Sequence, residues 1–354
     1  MARRTARAYP GMSNGFLLGK FMPPHAGHLF LCEVAAARVD RLTVLLCSTD
    51  AEPIPGDLRA RWMAESLRGT GICLCHMHRD IPQEPAEHPD FWAIWKSAIA
   101  EYHPEPIDWV FGSEPYVVPL AQTLAARPFI VDLTRRAVPV SARAIRRDPD
   151  LHWAHVPPPV RAYFQRRVTL IGPESAGKTT LAQHLAQTLC AGLIPEYGRD
   201  YDALFRAGKG WQALDFAEIM DGHRALAGAV ARASGPLVIE DTDPLQTLVW
   251  AEYLLGNVPP ALLARVASSP LPDLYLLLGA ETDWINDGTR YSGNQERRDW
   301  FAARLAHWLD HFGATWRRID AQDWTARQMQ AEAILREVLA QPRPARQSDP
   351  TGGS

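Results

Sequence analysis

Short apolar runs alternate along the chain with longer stretches in which hydrophobic positions recur at helical spacing. Such alternation is typical of βαβ units, which build parallel sheets covered by helices. In the first half we predict strands at 16–19, 42–48, 72–77, 109–112 and 129–133, with helices at 28–39, 57–68, 89–102 and 115–126. In the second half the predicted strands are 167–171, 192–195, 237–240, 274–278 and 315–319. The pattern therefore predicts an α/β protein with two doubly wound parallel-sheet domains.

A proline-rich segment, 156–165, separates the two series of elements and contains Val156-Pro157-Pro158-Pro159-Val160. Consecutive prolines favour extended polyproline geometry, so we predict a stiff linker there. The two domains would then span 14–155 and 166–341. Residues 1–13 and 342–354 show no hydrophobic periodicity, and we predict that both are disordered tails.

The composition narrows the classes of function. Lys and Arg number 37 against 40 acidic residues, and a formal net charge of −3 argues against a nucleic-acid partner. No apolar run approaches the ~18 residues that span a bilayer, and no apolar segment follows the N-terminal arginines as a secretory signal requires. Five cysteines without a framework spacing fit a reducing cytoplasm. Cys73, Cys75, His76 and His78 alternate as strand residues do, without the spacing of a zinc site.

A glycine-rich loop in the second half follows a predicted strand and precedes a helical stretch. Its sequence, Gly172-Pro-Glu-Ser-Ala-Gly177-Lys178-Thr179, fits the P-loop pattern G-x-x-x-x-G-K-[ST]. The glycines let backbone N–H groups face phosphate oxygens, while Lys178 is expected to reach the β- and γ-phosphates and Thr179 to ligate Mg²⁺. The pattern indicates an ATP site built from Gly172, Glu174, Ser175, Ala176, Gly177, Lys178, Thr179 and Thr180.

Acidic residues close the apolar strand predicted at 237–240. A carboxylate at the C-terminal end of such a strand can hold the water shell of magnesium. Asp241 is the first candidate for this metal role and Asp243 is the second. The alternative for Asp243 is a helix N-cap, because the following Pro244 is typical of the first turn of a helix.

The hexapeptide after the second strand of this domain lies on the side where a phosphate acceptor would bind. Glu196 or Asp200 could orient or deprotonate a sugar hydroxyl, and the residues alone do not rank them. Tyr197 or Tyr201 could stack on a ring, and Arg199 could steady the transferred phosphoryl group. The same residues could instead form surface salt bridges.

A polar loop further along the chain leads into another helical stretch. Its segment Asp287-Gly-Thr-Arg290 suits a lid that brings a catalytic arginine, Arg290, over the phosphates. For Arg297 and Arg298 we favour the simpler interpretation of a solvated, charged helix face.

The first half contains a second strand-to-helix turn with candidate phosphate ligands. Two histidines, His25 and His28, flank Gly27 there and follow Gly19 and Lys20. A phosphate can lie at the N-terminus of the helix that begins at such a turn.

Late in the same half, Ser141 could cap a helix whose opening turns carry Arg143 and Arg146. A hydroxyl cap followed by cations makes a second helix end that suits an anion.

His25-x-Gly27-His28 resembles the H-x-G-H signature of the nucleotidylyltransferase superfamily, and Lys20 corresponds to the cation often found upstream of it. Residues 141–146 resemble the distal I-S-x-T-x-x-R motif of that superfamily. Val140 stands in the place of Ile, and Arg143 in the place of Thr, so the phosphate contact of that hydroxyl is lost.

The order of the motifs, over about residues 14–340, resembles the NadR-type bifunctional proteins. That family joins nicotinamide-mononucleotide adenylyltransferase to ribosylnicotinamide kinase. The resemblance implies an N-terminal Rossmann-like nucleotidylyltransferase domain and a C-terminal P-loop kinase domain. It implies ribosylnicotinamide, nicotinamide mononucleotide and ATP as ligands, with no membrane partner, and it leaves homo-oligomer formation open. Too few residues precede the first strand for the helix-turn-helix repressor domain of some members.

The resemblance also assigns roles in the first domain. His25, His28, Lys20 and Arg146 would stabilise charge during adenylyl transfer, while Gly19, Gly27 and Ser141 would bind the nucleotide. Trp109, Gly112 and Tyr116 would help to hold the mononucleotide, although for Trp109 we favour the simpler interpretation of a core residue.

Two alternatives stay open from the sequence. The same folds could serve another substrate, as in a riboflavin or pantetheine adenylyltransferase fused to a different kinase. The first domain could also bind nucleotide as a sensor without turning it over, because Arg143 replaces the motif threonine.

Overall fold

The structure is a computed structural model that describes residues 12–206, 208–279 and 295–341. The chain divides into two compact units between Val160 and Arg161. The predicted tails at 1–11 and 342–354 lie outside the described residues, and the boundaries assigned to the two domains stay a prediction. Ser13, which we placed in the first tail, donates hydrogen bonds from its N–H and its hydroxyl to the Asp40 carboxylate at 2.8 and 2.9 Å.

The first unit contains a five-stranded parallel sheet in the order β3-β2-β1-β4-β5. Its strands are β1 (Asn14–Gly19), β2 (Arg41–Ser48), β3 (Cys73–His78), β4 (Trp109–Gly112) and β5 (Arg127–Ile130). Its helices are α1 (Ala26–Ala36), α2 (Gly56–Ser66), α3 (Phe91–Tyr102), α4 (Val117–Thr123) and α5 (Ala142–Arg147). A further helix, α6 (Pro158–Phe164), crosses the division between the units.

The second unit contains another five-stranded parallel sheet, in the order β10-β9-β6-β8-β7. Its strands are β6 (Arg166–Ile171), β7 (Gly192–Ile194), β8 (Leu237–Asp241), β9 (Leu274–Leu278) and β10 (Trp316–Ile319). Its helices are α7 (Lys178–Thr188), α8 (Tyr197–Tyr201), α9 (Ala213–Ala233), α10 (Pro244–Leu255), α11 (Pro260–Ala267), α12 (Gln295–His311) and α13 (Trp324–Ala340). A π-helical turn, Asp202–Arg206, follows α8.

Both sheets are buried on both faces, which explains the apolar runs of strands such as β2 and β9. In the first unit Phe16 and Leu45 pack in one core, while their neighbours Leu17 and Val44 pack in the other. The second unit repeats this arrangement, and all five residues of β9 are buried. The predicted fold class is therefore confirmed.

The strand orders also fix where ligands can bind. In each unit the chain first builds the sheet on one side of the unit's first strand and then crosses over to the other side. As a result β1 lies between β2 and β4, and β6 lies between β8 and β9. The crevice at the carboxyl ends of such strands is the usual ligand site of doubly wound sheets. The turns that follow β1 and β6 carry the histidine motif and the P-loop.

The proline-rich segment is not an extended linker, so that prediction is wrong. Pro158 and Pro159 begin α6, and the Val160 N–H donates to the Pro157 carbonyl at 2.9 Å. Proline is tolerated in the first turn of a helix because the N–H it lacks has no partner within the helix there.

The Cys73 to His78 run forms strand β3, as its alternation predicts. His76 and His78 both contact the Ser48 hydroxyl, at 2.8 and 2.9 Å. Across the described residues, no group of three or more His, Cys, Asp or Glu side chains could hold a metal ion. None of the helices in the described part of the chain is both long and apolar enough to span a bilayer.

Candidate active sites

The P-loop between β6 and α7 has the backbone of a phosphate cradle. Gly172 and Gly177 adopt φ of 154° and 80°, and a Cβ on Gly172 would lie 2.7 Å from the Leu278 carbonyl oxygen. The Lys178 ammonium donates to the carbonyls of Gly172 and Pro173, both at 3.0 Å. Burial lowers the pKa of Lys178, although Glu196 and Asp241 oppose that shift. The cradle thus holds its cation inside the loop, within reach of an incoming phosphate.

Asp241 ends β8 beside this loop, and its carboxylate accepts a hydrogen bond from the Thr179 hydroxyl. Burial raises the pKa of Asp241 despite that bond, and its Oδ1 is buried without a hydrogen-bond partner among the described residues. An orphaned carboxylate oxygen next to a hydroxyl is an oxygen donor set of the kind that Mg²⁺ prefers. Asp241 and Thr179 therefore fit the metal role that the sequence predicts.

Asp243 has a different role, and a metal role for it does not fit the structure. Its Oδ1 caps α10 by accepting from the N–H groups of Leu245 and Gln246 at 3.0 and 3.1 Å. Its Oδ2 accepts from the Tyr275 hydroxyl at 2.6 Å. Thr242 lies between the two acids with a left-handed φ of 68°, so Asp241 turns toward the P-loop and Asp243 toward α10.

A cavity of about 500 Å³ opens beside the P-loop in the second unit. Ser175 and Lys178 line it on the phosphate side, together with Glu174, and Glu196 lines it at the start of α8. Burial raises the pKa of Glu196, while Lys178 opposes the shift. The remaining wall comes from Gly198, Arg199, Asp202, Ala203, Gly208, Trp211, Phe216, Ile219, Thr242, Gln246, Thr247, Trp250 and Leu254.

The structure separates the two candidate carboxylates after β7. Glu196 is half-buried in the cavity wall, whereas Asp200 is exposed and lies outside the cavity lining. Arg199 also lines the cavity and pairs with Glu196 at 3.4 Å. The geometry therefore favours Glu196 as the group that faces an acceptor.

The two tyrosines of this segment pack against α9 instead of lining the cavity. The Tyr201 hydroxyl donates to Glu218 at 2.5 Å and to Asp215 at 3.1 Å, and its ring is buried. The Tyr197 ring lies against Gly222, where a Cβ would clash with it. A stacking role on substrate for Tyr197 and Tyr201 is thus not supported, because α8 uses these rings to attach to α9.

Helix α9 is itself anchored to the sheet through a buried hydrogen-bonded pair. His223 contacts Glu240 at 2.8 Å, and the Thr169 hydroxyl donates to the other Glu240 oxygen at 2.5 Å. Burial alone would raise the pKa of Glu240, but Arg167, His223 and Thr169 lower it well below its usual range. This pair holds the Phe216 and Ile219 face of α9 at the cavity.

The predicted lid falls partly outside the described residues. Asp287 to Arg290 lie there, so the role predicted for Arg290 stays a prediction. Arg297 is exposed on α12 as expected, but Arg298 is buried with 3% of its surface accessible, so the interpretation of a solvated face is wrong for it.

In the first unit, the two histidines of the H-x-G-H turn form a stacked pair. His25 is the N-cap of α1, and its Nδ1 accepts from the Gly27 N–H at 3.1 Å. A Cβ on Gly27 would lie 3.0 Å from the His25 ring, so glycine allows this close approach. The rings of His25 and His28 stack with centroids 3.7 Å apart.

A small cavity of about 60 Å³ adjoins this pair in the same unit. Besides His25 and His28 it is lined by Ser113 and Glu114, after β4, and by Arg135, after β5. Arg135 pairs with Glu114 at 3.3 Å and has a left-handed φ of 52°. The cavity therefore combines two imidazoles and a guanidinium with the carboxylates of Glu114 and Asp132.

Lys20 is held beside this turn by an ion-pair network that sequence reasoning missed. Its ammonium lies 3.1 Å from Glu52, and Glu52 also pairs with Arg59. Arg59 is fully buried and donates to the carbonyls of Lys20 and Ile54. The network fixes both the backbone and the side chain of Lys20, although no periodicity marks Glu52 or Arg59 in the sequence.

The distal motif also approaches the histidine turn. Ser141 caps α5, accepting from the Ala144 N–H at 3.1 Å, and Arg146 donates to the Met22 carbonyl. Arg143 is exposed. Ser141 and Arg146 thus occupy the cap and helix positions that the resemblance predicts.

Of the residues predicted to hold a mononucleotide, one lies at the wrong end of the sheet. Trp109 begins β4, pairs in register with Gly15 and stacks under the Arg38 guanidinium at 4.4 Å, so a substrate role does not fit it. Gly112 ends the same strand at the ligand side. The Tyr116 hydroxyl donates to the Leu18 carbonyl at 2.9 Å, which ties the turn after β4 to β1.

Known proteins resemble this chain over almost its whole length. It is 27% identical over 348 residues to the trifunctional NAD biosynthesis/regulator protein NadR of Escherichia coli K12, covering 93% of this chain and 84% of that protein. The Salmonella typhimurium protein of the same name is 26% identical over 92% of this chain. The chain is homologous to the NadR proteins.

Two other comparisons match only part of this NadR homologue. The AAA domain family model matches residues 167–327. A nicotinamide-nucleotide adenylyltransferase of Saccharolobus solfataricus is 32% identical over 114 residues, which cover 30% of this chain and 62% of that protein.

Two crystal structures of NadR share the fold. One, in complex with NAD and AMP-PNP, superposes with a TM-score of 0.74 at 23% identity, covering 94% of this chain and 98% of its own. The other, in complex with NR, superposes with a TM-score of 0.77 at 23% identity, covering 96% and 99%.

Proposed function

We propose that this NadR homologue carries out two consecutive steps of NAD salvage. The second unit would transfer the γ-phosphoryl group of ATP to ribosylnicotinamide. The first unit would then transfer the adenylyl group of a second ATP to nicotinamide mononucleotide, giving NAD and pyrophosphate. The observation that carries the kinase half is one continuous cavity that is lined by both the phosphate-side residue Lys178 and the half-buried Glu196.

In the kinase step, the 5′-hydroxyl oxygen attacks the γ-phosphorus, and the bond to the β–γ bridging oxygen breaks to release ADP. Catalysis of this kind rests on positioning and charge neutralisation. Lys178 would leave its carbonyl partners for the phosphates, and Arg199 would neutralise the transferred group. Glu196 would accept the hydroxyl proton, which its raised pKa favours.

Magnesium would be held by Asp241 and Thr179, whose free carboxylate oxygen and hydroxyl fit it. Bound there, the ion supplies charge neutralisation for the phosphate oxygens. Asp241 itself is kept in place by the Thr179 hydroxyl, and the left-handed Thr242 sets its direction.

In the adenylyl step, an oxygen of the mononucleotide phosphate attacks the α-phosphorus of ATP, and pyrophosphate leaves. The nucleophile is already an anion, so no general base is required. His25 and His28 would donate hydrogen bonds to the pentavalent centre, and Lys20 and Arg146 would balance the charge of the leaving group. The sharply lowered pKa values of the two histidines favour neutral donors.

The ligands proposed here are small molecules, and the scheme involves neither nucleic acid nor a membrane. A reducing cytoplasm suits it, because all five cysteines are free thiols. Neither step needs a second copy of the chain.

The test is a separate assay of each half-reaction on the purified protein. We expect ADP and nicotinamide mononucleotide from ATP with ribosylnicotinamide, and NAD with pyrophosphate from ATP with the mononucleotide. Other nucleosides, riboflavin and phosphopantetheine serve as competing acceptors. Faster turnover of any of these than of ribosylnicotinamide would reject the substrate assignment, and binding of mononucleotide without NAD formation would indicate a sensor.

A further inference from the structure

Gln246, in the first turn of α10, connects the P-loop to the acceptor cavity. Its side chain is buried with 2% exposure, and its Oε1 accepts from the Gly172 N–H at 2.9 Å. The carbonyl of the same Gly172 accepts from the Lys178 ammonium at 3.0 Å. One carboxamide therefore fixes the glycine that in turn positions the catalytic lysine.

The NH2 group of the Gln246 carboxamide is available to a ligand in the cavity. Gln246 lines the cavity, and its oxygen is already committed to Gly172. Within the described residues, no protein group accepts a hydrogen bond from its NH2 group. That group is accessible from the cavity. A buried amide whose donor has no protein partner is suited to donate to a ligand oxygen, because leaving it unsatisfied is costly.

The course of α10 indicates which part of the acceptor lies at Gln246. Gln246, Trp250 and Leu254 line the cavity at i, i+4 and i+8, so they form a single row along the helix. Trp250 and Leu254 lie about 6 and 12 Å further from the P-loop end, at 1.5 Å per residue. The reacting hydroxyl must lie at the phosphates, which places the ribose near Gln246 and the ring near Trp250.

We propose that Gln246 is a positioning and specificity residue for the kinase step, an inference that rests on the proposed function. Its oxygen holds Gly172, and its NH2 group donates to the 2′- or 3′-hydroxyl of the acceptor ribose. The phosphate donor and the acceptor are thus aligned by one side chain, and the backbone N–H of the same residue donates to the Asp243 carboxylate.

The test compares Gln246→Met and Gln246→Glu with the wild-type protein on ribosylnicotinamide and on its 2′-deoxy and 3′-deoxy analogues. In the wild type, removing the contacted hydroxyl should lower kcat/KM about tenfold, the usual effect of one hydrogen bond. In Gln246→Met, the same removal should cost less than about twofold, because the partner is already gone. The KM for ATP should rise in Gln246→Met but stay near the wild-type value in Gln246→Glu, which keeps an oxygen for Gly172.

A matched control is Gln187→Met, an exposed glutamine on α7, which should behave as wild type with every acceptor. Thermal unfolding of each variant reports whether the second unit, which carries the substitution, is folded. The inference is overturned if neither deoxy analogue loses more than threefold with the wild type. It is also overturned if Gln246→Met shows the full wild-type loss for the analogue that lacks the contacted hydroxyl. A wild-type protein that does not phosphorylate ribosylnicotinamide would instead reject the proposed function.

Discussion

The imidazole rings of His25 and His28 stack with their centroids 3.7 Å apart, and each ring helps to bury the other. Burial, aided by Arg135 and His155, lowers the pKa of His25 to about 3, and burial with the His25 charge lowers that of His28 well below its usual value. Both rings are neutral at pH 7 as a result. In the proposed adenylyl step they would act on phosphate as N–H donors, and the formal positive charge would have to come from Lys20, Arg135 and Arg146.

Acid should destabilise the first unit through His25. Between pH 6.5 and about pH 3 the unfolded chain binds a proton that folded His25 does not, so stability falls as the pH falls. From pH 7 to pH 5 we expect a loss of about 2 kcal/mol in the free energy of unfolding. Urea unfolding at the two pH values should show a smaller loss for His25→Gln than for the wild type. An equal loss in both proteins would contradict the assignment.

Removing a histidine donor should affect only one of the two reactions. We expect His28→Ala to lower the rate of NAD formation from mononucleotide about a hundredfold, the typical cost of one such donor. Phosphorylation of ribosylnicotinamide should be unchanged, because the P-loop lies in the other unit. His152→Ala, outside the histidine cavity, is the control. A normal rate of NAD formation by His28→Ala would place the adenylyl site elsewhere.

The converse substitution is Lys178→Ala. Its ammonium is the cation held inside the P-loop, so phosphorylation should fall about a hundredfold or more while NAD formation from mononucleotide continues. Coupled assays of ADP and pyrophosphate release measure the two rates in one preparation. Arg224→Ala, an exposed cation on α9, should leave both rates alone. Loss of both activities in Lys178→Ala would show that the sites are not independent.

Substitution of Asp241 should lower the phosphorylation rate, whereas substitution of Asp243 should lower the stability. Asp241→Asn should lower the phosphorylation rate about a hundredfold with little change in stability, because its free oxygen has no protein partner. Asp243→Ala should cost about 1–3 kcal/mol of stability, because it loses the α10 cap and the Tyr275 bond. Thermal unfolding and initial rates on both variants check this division, and the reverse pattern would exchange their roles.

Glu196 and Asp200 can be ranked by the pH dependence of the kinase. Because burial raises the pKa of Glu196, its carboxyl becomes protonated above the usual range of glutamate as the pH falls. The kcat/KM for ribosylnicotinamide should therefore decline on the acid side, and this decline should vanish in the slow Glu196→Gln variant. Asp200→Asn should retain the wild-type profile. A profile altered by Asp200→Asn alone would reverse the ranking.

The sequence predicts those features that local pattern determines. Apolar runs buried on two faces mark the strands, and the turns after β1 and β6 carry phosphate-binding motifs whose spacing is local. The sequence also offered the capping of α10 by Asp243, because Pro244 follows Asp243 and is typical of a first helical turn. The end of a strand at which a residue lies was harder to predict from the sequence. Trp109 starts β4 and so lies away from the carboxyl ends where ligands bind.

The remaining site residues depend on contacts between distant parts of the chain. Glu52 and Arg59 gain their importance only when α2 packs beside Lys20, and neither has a motif. Gln246 belongs to no motif, and its importance depends on the contact with Gly172, which comes from a distant part of the chain. Tyr201 was misassigned for the same reason, because its acidic partners on α9 come from another element.

The buried pair of His223 and Glu240 has a consequence for the range of acceptors. Separating the two side chains would leave buried polar groups without their hydrogen-bond partner, so α9 cannot swing outward at low cost. The side of the cavity that carries Phe216 and Ile219 is therefore a fixed template. Acceptors with bulkier rings should not fit against that side of the cavity. Smaller side chains at Phe216 and Ile219 would be needed to widen the range of acceptors.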